Sequence, residues 1–386
     1  MSLLAHIHLH QFFKNKELNH FYIAIAIMSF GVALINIFVP IYLYKIGYSI
    51  YNIIFFFFLV SSSFVIFSYS GAKVVSRIGI KHSILFSTPF IVLYFIGLGF
   101  LEKYDLLFFI LPILLSWYMI LYNYGYHLNF VAHSEKNKRG QQISVIRSTT
   151  IMMHVLAPLI GGFIASYSFN ILYVTGAIIL IVGTFPLFLT KENYKKVNFT
   201  RRGLFKEIFS KKERGTLASF SGYAIESNIG GIIWPIFIII ILVSIKITGL
   251  IIMLSTILSV ITFYVMGKYA DKFDKIKLIK LGTLLYFFAW IGRIFANSSF
   301  KILAIDSYKN VAQTIIHLPW EVRSYELAAT HGYFRFIVSR EIIFNLTRVI
   351  IMPILILVFF INWNPFIVSF IIAAIASTGY IFINKK

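Results

Sequence analysis

The sequence of 386 residues contains no cysteine. Disulfide bonds, thiolate zinc sites and thiol nucleophiles are therefore excluded. Charge is also scarce, because charged side chains make up 13% of the chain, whereas they make up about a quarter of a typical soluble domain. With 59% hydrophobic residues, the chain has too little polar surface to cover a water-soluble globule. We therefore expect a protein that lies in a membrane.

Long apolar runs account for this composition. A helix needs about 20 apolar residues to cross about 30 Å of hydrocarbon. Twelve such segments, numbered in chain order, lie near 20–43, 51–71, 82–101, 106–131, 146–166, 169–190, 217–243, 248–267, 278–297, 300–322, 341–361 and 364–383. The sequence thus predicts an all-α integral membrane protein with twelve transmembrane helices, preceded by an amphipathic surface segment at residues 1–18.

The positive charges alternate from one loop to the next. The termini and the loops after segments 2, 4, 6, 8 and 10 hold 27 of the 35 Lys and Arg residues, whereas the other loops hold four. The positive-inside rule then predicts a multi-pass protein of the cytoplasmic (inner) membrane with both termini in the cytoplasm. The basic stretch 191–214 has the composition of a nucleic-acid patch, but we interpret it as a linker against anionic lipid and expect no nucleic-acid partner.

An internal repeat divides the chain into two copies. Ile-Phe-Val-Pro-Ile-Tyr at 37–42 returns as Ile-Ile-Trp-Pro-Ile-Phe at 232–237, which places Pro40 on Pro235 at a shift of 195 residues. The same shift places Pro158 on Pro353. These landmarks predict a six-helix bundle at 1–190, a basic linker at 191–215 and a second six-helix bundle at 216–386.

Three short motifs carry a resemblance to a known family. The turn after segment 2 and the turn after segment 8 resemble the Gly-x-x-x-Asp-Arg-x-Gly-x-Arg/Lys turn of major facilitator superfamily transporters. The residues concerned are Ala72, Ser76, Arg77, Gly79 and Lys81 in the first turn and Gly267, Asp271 and Lys272 in the second. In segment 5, Ala157, Pro158, Gly161 and Gly162 resemble a segment of the antiporters of that superfamily. Ser76 and Ala72 depart from the family pattern, as do Asp274 and Ala157.

The resemblance implies a fold and a gate. The fold would be two pseudo-symmetric six-helix bundles around a central pathway that opens to each side of the membrane in turn. The gate would hold Asp271 near Arg147 at the start of helix 5, while Glu341, expected at the start of helix 11, would face Arg77 or Lys81. Ordinary turn residues are the alternative interpretation of these motifs, and close helix packing is the alternative for segment 5. Only the resemblance implies export.

Polar residues inside the apolar segments are the candidates for binding and coupling. A charge at the centre of a membrane helix costs about 2.5 to 3.5 kcal/mol on insertion scales, so such a residue must face an interior space or a partner. Several of them recur every three or four residues on segment 10, which gives that helix one polar face. The candidates are Glu226, Asp306, Lys309, Asn310, Gln313, His317, Arg348, Asn345, Asn36, Asn123, His127 and Trp234. For the single asparagines, a clamp between helices is the alternative.

The predicted function is secondary transport of a small polar or amphipathic organic solute. The chain has no Gly-x-x-x-x-Gly-Lys-Ser/Thr phosphate loop, so an ion gradient is the expected energy source. Buried carboxyl groups can load and release protons, and we prefer Glu226 to Asp306, because Lys309 could neutralise Asp306 within one helical turn. Uniport remains open. No motif indicates an enzyme, a metal or another cofactor, and we expect a monomer in the lipid bilayer. The alternative function is a transport-inactive membrane sensor or scaffold.

Overall fold

The structure is a computed structural model that describes residues 16–133, 139–189, 197, 199–201, 203–204, 213–269, 274–361 and 364–384. Its described part contains twelve helices, the first of which is divided into two segments. They are α1 (Lys16–Asn36 and Phe38–Lys45), α2 (Ile50–Ile78), α3 (Ile80–Leu98), α4 (Leu107–His133), α5 (Arg139–Tyr167), α6 (Phe169–Phe188), α7 (Arg214–Leu242), α8 (Ile245–Tyr269), α9 (Lys275–Gly292), α10 (Ser299–His331), α11 (Tyr333–Ile361) and α12 (Pro365–Ser377). A 3-10 helix at Thr378–Asn384 extends α12.

Eleven of these helices are long and apolar enough to cross a membrane. The remaining helix is α10, whose polar face includes Asp306 and Lys309. Large apolar side chains also lie on the outside of the molecule, where Ile66, Phe188 and Phe360 are each more than 60% exposed. An outer surface of this kind is suited to lipid rather than to water.

The two halves of the chain pack in the same way. In the first half α1 packs on α6, α3 on α4 and α2 on α4, and in the second half α7 packs on α12, α9 on α10 and α8 on α10. Between the halves, α2 packs on α11 and α5 packs on α8. The repeat relates α2 to α8 and α11 to α5, so these two contacts are equivalent to each other. This pattern matches the fold expected from the repeat, namely two pseudo-symmetric six-helix bundles. The boundaries at 190 and 216 stay a prediction, because most of the linker lies outside the described residues.

The helices continue past the apolar windows at one end of the bundle. We call this the basic end, where the loops after even-numbered helices lie, and the other end the opposite end. Segment 11 was expected from residue 341, but α11 begins at Tyr333, and α2, α5 and α10 are also longer at this end than predicted. Hydropathy indicates only the part of a helix that crosses hydrocarbon, so it does not predict these polar extensions.

The repeated prolines have different effects in the two halves. Proline cannot donate to the carbonyl group four residues earlier. In α1 the helix is interrupted at Ile37, next to Asn36, whose carbonyl would have been the partner of Pro40. In α7 the helix continues through Pro235. Asn36 and Gly231 are equivalent positions under the repeat, and both are exposed.

The halves touch at both ends of the bundle. At the opposite end, Gly162 of α5 and Gly249 of α8 lie in backbone contact, and the ammonium of Lys246 lies 4.9 Å from the ring centre of Tyr167. At the basic end, Phe199 of the linker packs between Tyr69 of α2 and Phe334 of α11, with ring centres 5.8 and 4.9 Å away.

Candidate functional site

A buried carboxylate, Glu226, lies near the middle of α7 and is 1% exposed. The hydroxyl of Tyr286 on α9 donates to its Oε2 at 2.8 Å, and the hydroxyl of Tyr380, after α12, donates to its Oε1 at 2.7 Å. On α10, Nε2 of His317 lies 2.7 Å from the Tyr380 hydroxyl and 3.9 Å from Glu226. Among the described residues, no Lys or Arg lies within 4.0 Å of Glu226, so neutral donors hold this carboxylate.

The second buried carboxylate, Asp306 on α10, has a different environment. A guanidinium nitrogen of Arg293, at the end of α9, donates to its Oδ1 at 3.1 Å. Nε1 of Trp234 donates to its Oδ2 at 3.0 Å. The same guanidinium lies between the rings of Trp234 and Trp290, 4.0 and 4.1 Å from their centres. Asp306 therefore forms a fixed buried ion pair with Arg293. The sequence spacing had suggested Lys309 as its partner instead.

Lys309 contacts the polar face of its own helix. Its ammonium donates to Oε1 of Gln313 at 2.6 Å and to Oδ1 of Asn310 at 3.4 Å. It also lies close enough to Glu226 and Asp306 to interact with their charges. The face that segment 10 was expected to present is therefore assembled around Glu226, since His317 and Lys309 both approach that carboxylate.

Arg348, near the middle of α11, makes only weak contacts. Its guanidinium reaches Oδ1 of Asn345 at 3.5 Å and Oγ of Ser227 on α7 at 3.4 Å. Its Nε is buried without a partner in the described part of the chain. The amide nitrogen of Asn345 donates to the backbone carbonyl of Glu341 in the same helix. This hydrogen bond orients the amide so that its oxygen faces Arg348.

Near the basic end, side chains of the two halves meet in a polar cluster. Asn123 of α4 donates to Oε2 of Glu341 on α11 at 3.3 Å. His127 of α4 lies 2.7 Å from the hydroxyl of Tyr325 on α10 and 3.8 Å from Glu341. Arg340 donates to the same Glu341 carboxylate at 3.0 Å. Asn123 and His127 thus join the two halves rather than standing apart in the first one.

The position of Glu341 corrects one expectation. The sequence placed it at the start of helix 11, facing Arg77 or Lys81. In the structure α11 begins eight residues earlier, so Glu341 is 5% exposed inside the bundle, with Arg340 and Asn123 as partners. Arg340, which lies between the apolar segments 10 and 11 in the sequence, is likewise buried.

The rest of the expected gate is described only in part. Ala72 and Ser76 are buried in α2, Arg77 is exposed, and Lys81 is half-buried. Gly79 joins α2 to α3 with φ of 90°, a conformation that favours glycine. Asp271 and Lys272 lie outside the described residues, as does the side chain of Arg147. Gly267 lies in α8. The Asp271–Arg147 contact therefore stays a prediction.

The small residues of α5 lie where helices approach closely. A Cβ on Gly161 would stand 2.2 Å from the backbone oxygen of Leu34 in α1, and one on Gly162 would stand 2.9 Å from that of Ile245 in α8. The carbonyl oxygen of Pro158 would lie 2.3 Å from a Cβ on Gly249, and Ala157 is fully buried. This geometry is what close helix packing requires.

Sequence reasoning missed several partners in the site. Tyr286 and Tyr380 hold Glu226, yet each lies in an apolar run and nothing distinguishes it from the other tyrosines of the chain. Arg293 falls within segment 9, but its position in the sequence does not reveal that it pairs with Asp306. The Trp-x-x-Arg spacing could have indicated that Trp290 stacks on Arg293, since residues three apart share a helix face.

A twelve-helix membrane protein with two like halves and charged groups between its helices has the form of a transporter. A family profile described as Major Facilitator Superfamily matches residues 128–307. The stretch from residue 128 to residue 307 is therefore similar to that superfamily. A search of curated proteins finds no match.

Solved structures of transporters share the fold at low sequence identity. A D-xylose-proton symporter is 15% identical with a TM-score of 0.72, and the match covers 95% of this chain and 96% of that one. The major facilitator superfamily transporter FucP, in its outward conformation, is 10% identical with a TM-score of 0.67, covering 95% and 98%. The structure of the E. coli fucose:proton symporter FucP is 11% identical with a TM-score of 0.68, covering 96% and 98%.

Proposed function

We propose that this protein is a proton-coupled secondary transporter of a small polar or amphipathic organic solute, and that Glu226 carries the proton. One observation supports this most directly: a fully buried carboxylate on α7 is held by two tyrosine hydroxyls and not by a fixed cation. A carboxyl group in such a place can be charged or neutral without leaving a buried partner uncompensated. Asp306 is a poorer candidate, because neutralising it would leave the buried guanidinium of Arg293 without a counter-charge.

His317 and Tyr380 offer Glu226 a path for the proton. The Tyr380 hydroxyl lies 2.7 Å from both the Glu226 carboxylate and Nε2 of His317. The side chain of His317 is 25% exposed, whereas that of Glu226 is 1% exposed. A proton arriving at His317 can therefore pass to Glu226 through one hydroxyl group. That FucP and the D-xylose transporter are named proton symporters also supports proton coupling.

We place the basic end in the cytoplasm and the protein in the cytoplasmic membrane, on the strength of the loop charges. A fluorescent protein fused after Lys386 should then fluoresce, whereas an exported alkaline phosphatase fused there should be inactive. Active phosphatase at this position would contradict the orientation.

Solute flux in proteoliposomes tests the function. Purified protein is reconstituted with a pH-sensitive dye inside, and lactate, succinate, glucose 6-phosphate, D-xylose and choline are added one at a time. We expect at least one solute to change the internal pH, and a protonophore to abolish the change. Acidification on solute entry would identify symport, and alkalinisation would identify exchange for protons. A protein that carries no labelled solute in any direction would instead be a sensor or scaffold.

A further inference from the structure

Arg348 is a cation inside the membrane whose charge is not balanced locally. It is the sixteenth residue of the 29-residue span Tyr333–Ile361. In the described part of the chain no carboxylate lies within 4.0 Å of it, and its two contacts, at 3.4 and 3.5 Å, are to an uncharged hydroxyl and an uncharged amide. Both contacts are at the long limit for a hydrogen bond. A cation in the middle of a membrane span is unfavourable unless it has a partner or faces a water-filled space, and such a residue is a candidate for a binding site.

The other buried arginines of the second half show what a structural arginine looks like here. Arg293 has Asp306 at 3.1 Å and two tryptophan rings. Arg340 has Glu341 at 3.0 Å. Both are less than 4% exposed, whereas Arg348 is half-buried. The contrast separates Arg348 from the arginines whose role is to stabilise the fold.

The space beside Arg348 is open. Arg348 reaches α7 at Ser227, and Gly231 lies one helical turn further along the same face of α7. Gly231 is exposed, and a Cβ built on it would meet no atom within 4 Å. The opposite face of α7 is closely packed, because Gly222 lies against the backbone of Ala376 in α12 and of Gly379 in the 3-10 helix that follows α12. An accessible guanidinium therefore borders an unfilled part of the molecule.

We propose that Arg348 binds an anionic group of the transported solute, so that the solute is an organic acid or a phosphate ester rather than a neutral sugar. A guanidinium suits this role because it donates two parallel hydrogen bonds to a carboxylate or phosphoryl group. Asn345 positions the guanidinium from one side. The inference rests on the proposed function in taking the ligand to be the cargo. It departs from the named structural neighbours, which transport xylose and fucose.

Ligand-induced thermal shifts of purified protein in detergent test this inference without any flux. Lactate, succinate and glucose 6-phosphate are the anionic probes, and D-xylose, L-fucose and choline are the uncharged and cationic ones. A ligand that binds the folded protein raises its melting temperature. We expect a carboxylate or the phosphate ester to stabilise the wild type. Which of the two kinds of anion does so shows whether Arg348 binds a carboxylate or a phosphoryl group.

Arg348→Gln should weaken that binding at least about tenfold, as expected when a charge-assisted hydrogen bond is lost. Arg323→Gln is the matched control, because Arg323 is a surface arginine of α10 paired with Glu326, and it should bind normally. Equal binding by Arg348→Gln, stabilisation only by uncharged or cationic probes, or no stabilisation by any anion would each overturn the inference.

A measurement on the wild type covers the case in which Arg348→Gln does not fold. The anion that stabilises the protein should protect Arg348 from phenylglyoxal, as read by mass spectrometry, while Arg323 stays reactive. Equal modification of Arg348 with and without the anion would contradict the proposal. Anion binding through Arg348 without flux in liposomes would instead refute the transport function and leave this inference standing.

Discussion

Two buried carboxylates, Glu226 and Asp306, have partners of different chemistry in this protein. Asp306 is ion-paired with Arg293, whereas Glu226 accepts hydrogen bonds from Tyr286 and Tyr380. The difference decides what happens when each charge is removed. A neutral side chain at 306 leaves a guanidinium buried and uncompensated, whereas a neutral side chain at 226 leaves only hydroxyl groups behind.

Asp306→Asn should therefore destabilise the protein far more than Glu226→Gln. Breaking one side of a buried ion pair costs about 3 to 5 kcal/mol, whereas an altered neutral hydrogen bond costs about 1 kcal/mol. Melting of the two purified variants in detergent, compared with the wild type, measures this. Equal losses of melting temperature would show that the environments of the two carboxylates do not differ as described.

At this scale the sequence predicts which charged residues lie inside the bundle better than it predicts their partners. Intramembrane charge singles out Glu226, Asp306, Lys309 and Arg348, because the cost of burying charge does not depend on the fold. Pairing does depend on it. Lys309 is three residues from Asp306, yet Arg293, from another helix, takes that position.

Among the helices, α5 and α8 approach each other closely enough for their backbones to touch. Gly249 lies against the carbonyl of Pro158, and Gly162 lies against Gly249. Any side chain at 249 must push the two helices apart, because the opposing atom is backbone and cannot move aside. The contact at this end of the bundle therefore depends on glycine.

Gly249→Ala should lower the melting temperature of the purified protein, with a cost of about 1 to 3 kcal/mol for overpacking. Gly231→Ala is the matched control, since a methyl group there meets no neighbour and the substitution also favours the helix. A melting temperature unchanged by Gly249→Ala, or lowered equally by Gly231→Ala, would contradict the described packing.

The helices themselves were largely predictable, and their ends at the basic end were not. Twelve segments in the sequence correspond to twelve helices of the described structure, and eleven of these helices have the length and apolarity that crossing hydrocarbon demands. Outside the hydrocarbon neither demand applies. The sequence therefore does not predict that α11 begins at Tyr333, and it wrongly places Glu341 at the start of that helix.

For the whole molecule, the repeat at a shift of 195 residues accounts for most of the architecture. It pairs α1 with α7 and α5 with α11, and the structure repeats the same helix contacts in each half. What it leaves out is the asymmetry. The candidate charges concentrate in the second half, while the first half contributes Asn123 and His127 to a cluster that joins the halves near the basic end.

Contacts between the halves at both ends describe a molecule in which neither side is wide open. A transporter must release one set of contacts at a time. The glycine contact of α5 with α8 would be released to open the opposite end, and the Glu341 cluster with Phe199 to open the basic end. Loading of Glu226 with a proton and binding of the solute would bias this exchange.

Transport by Glu226→Gln in proteoliposomes, with the solute identified by the flux screen, tests this account most directly. Glutamine keeps the size and polarity of the side chain and still accepts a hydrogen bond at its one oxygen, but it cannot carry a proton. We expect solute accumulation driven by a pH gradient to fall at least tenfold, while exchange of labelled for unlabelled solute at equal pH persists. Glu326→Gln, a surface carboxylate of α10, should change neither. Loss of both activities in Glu226→Gln would assign Glu226 to solute binding or to the fold, and no change in either would refute its role in coupling.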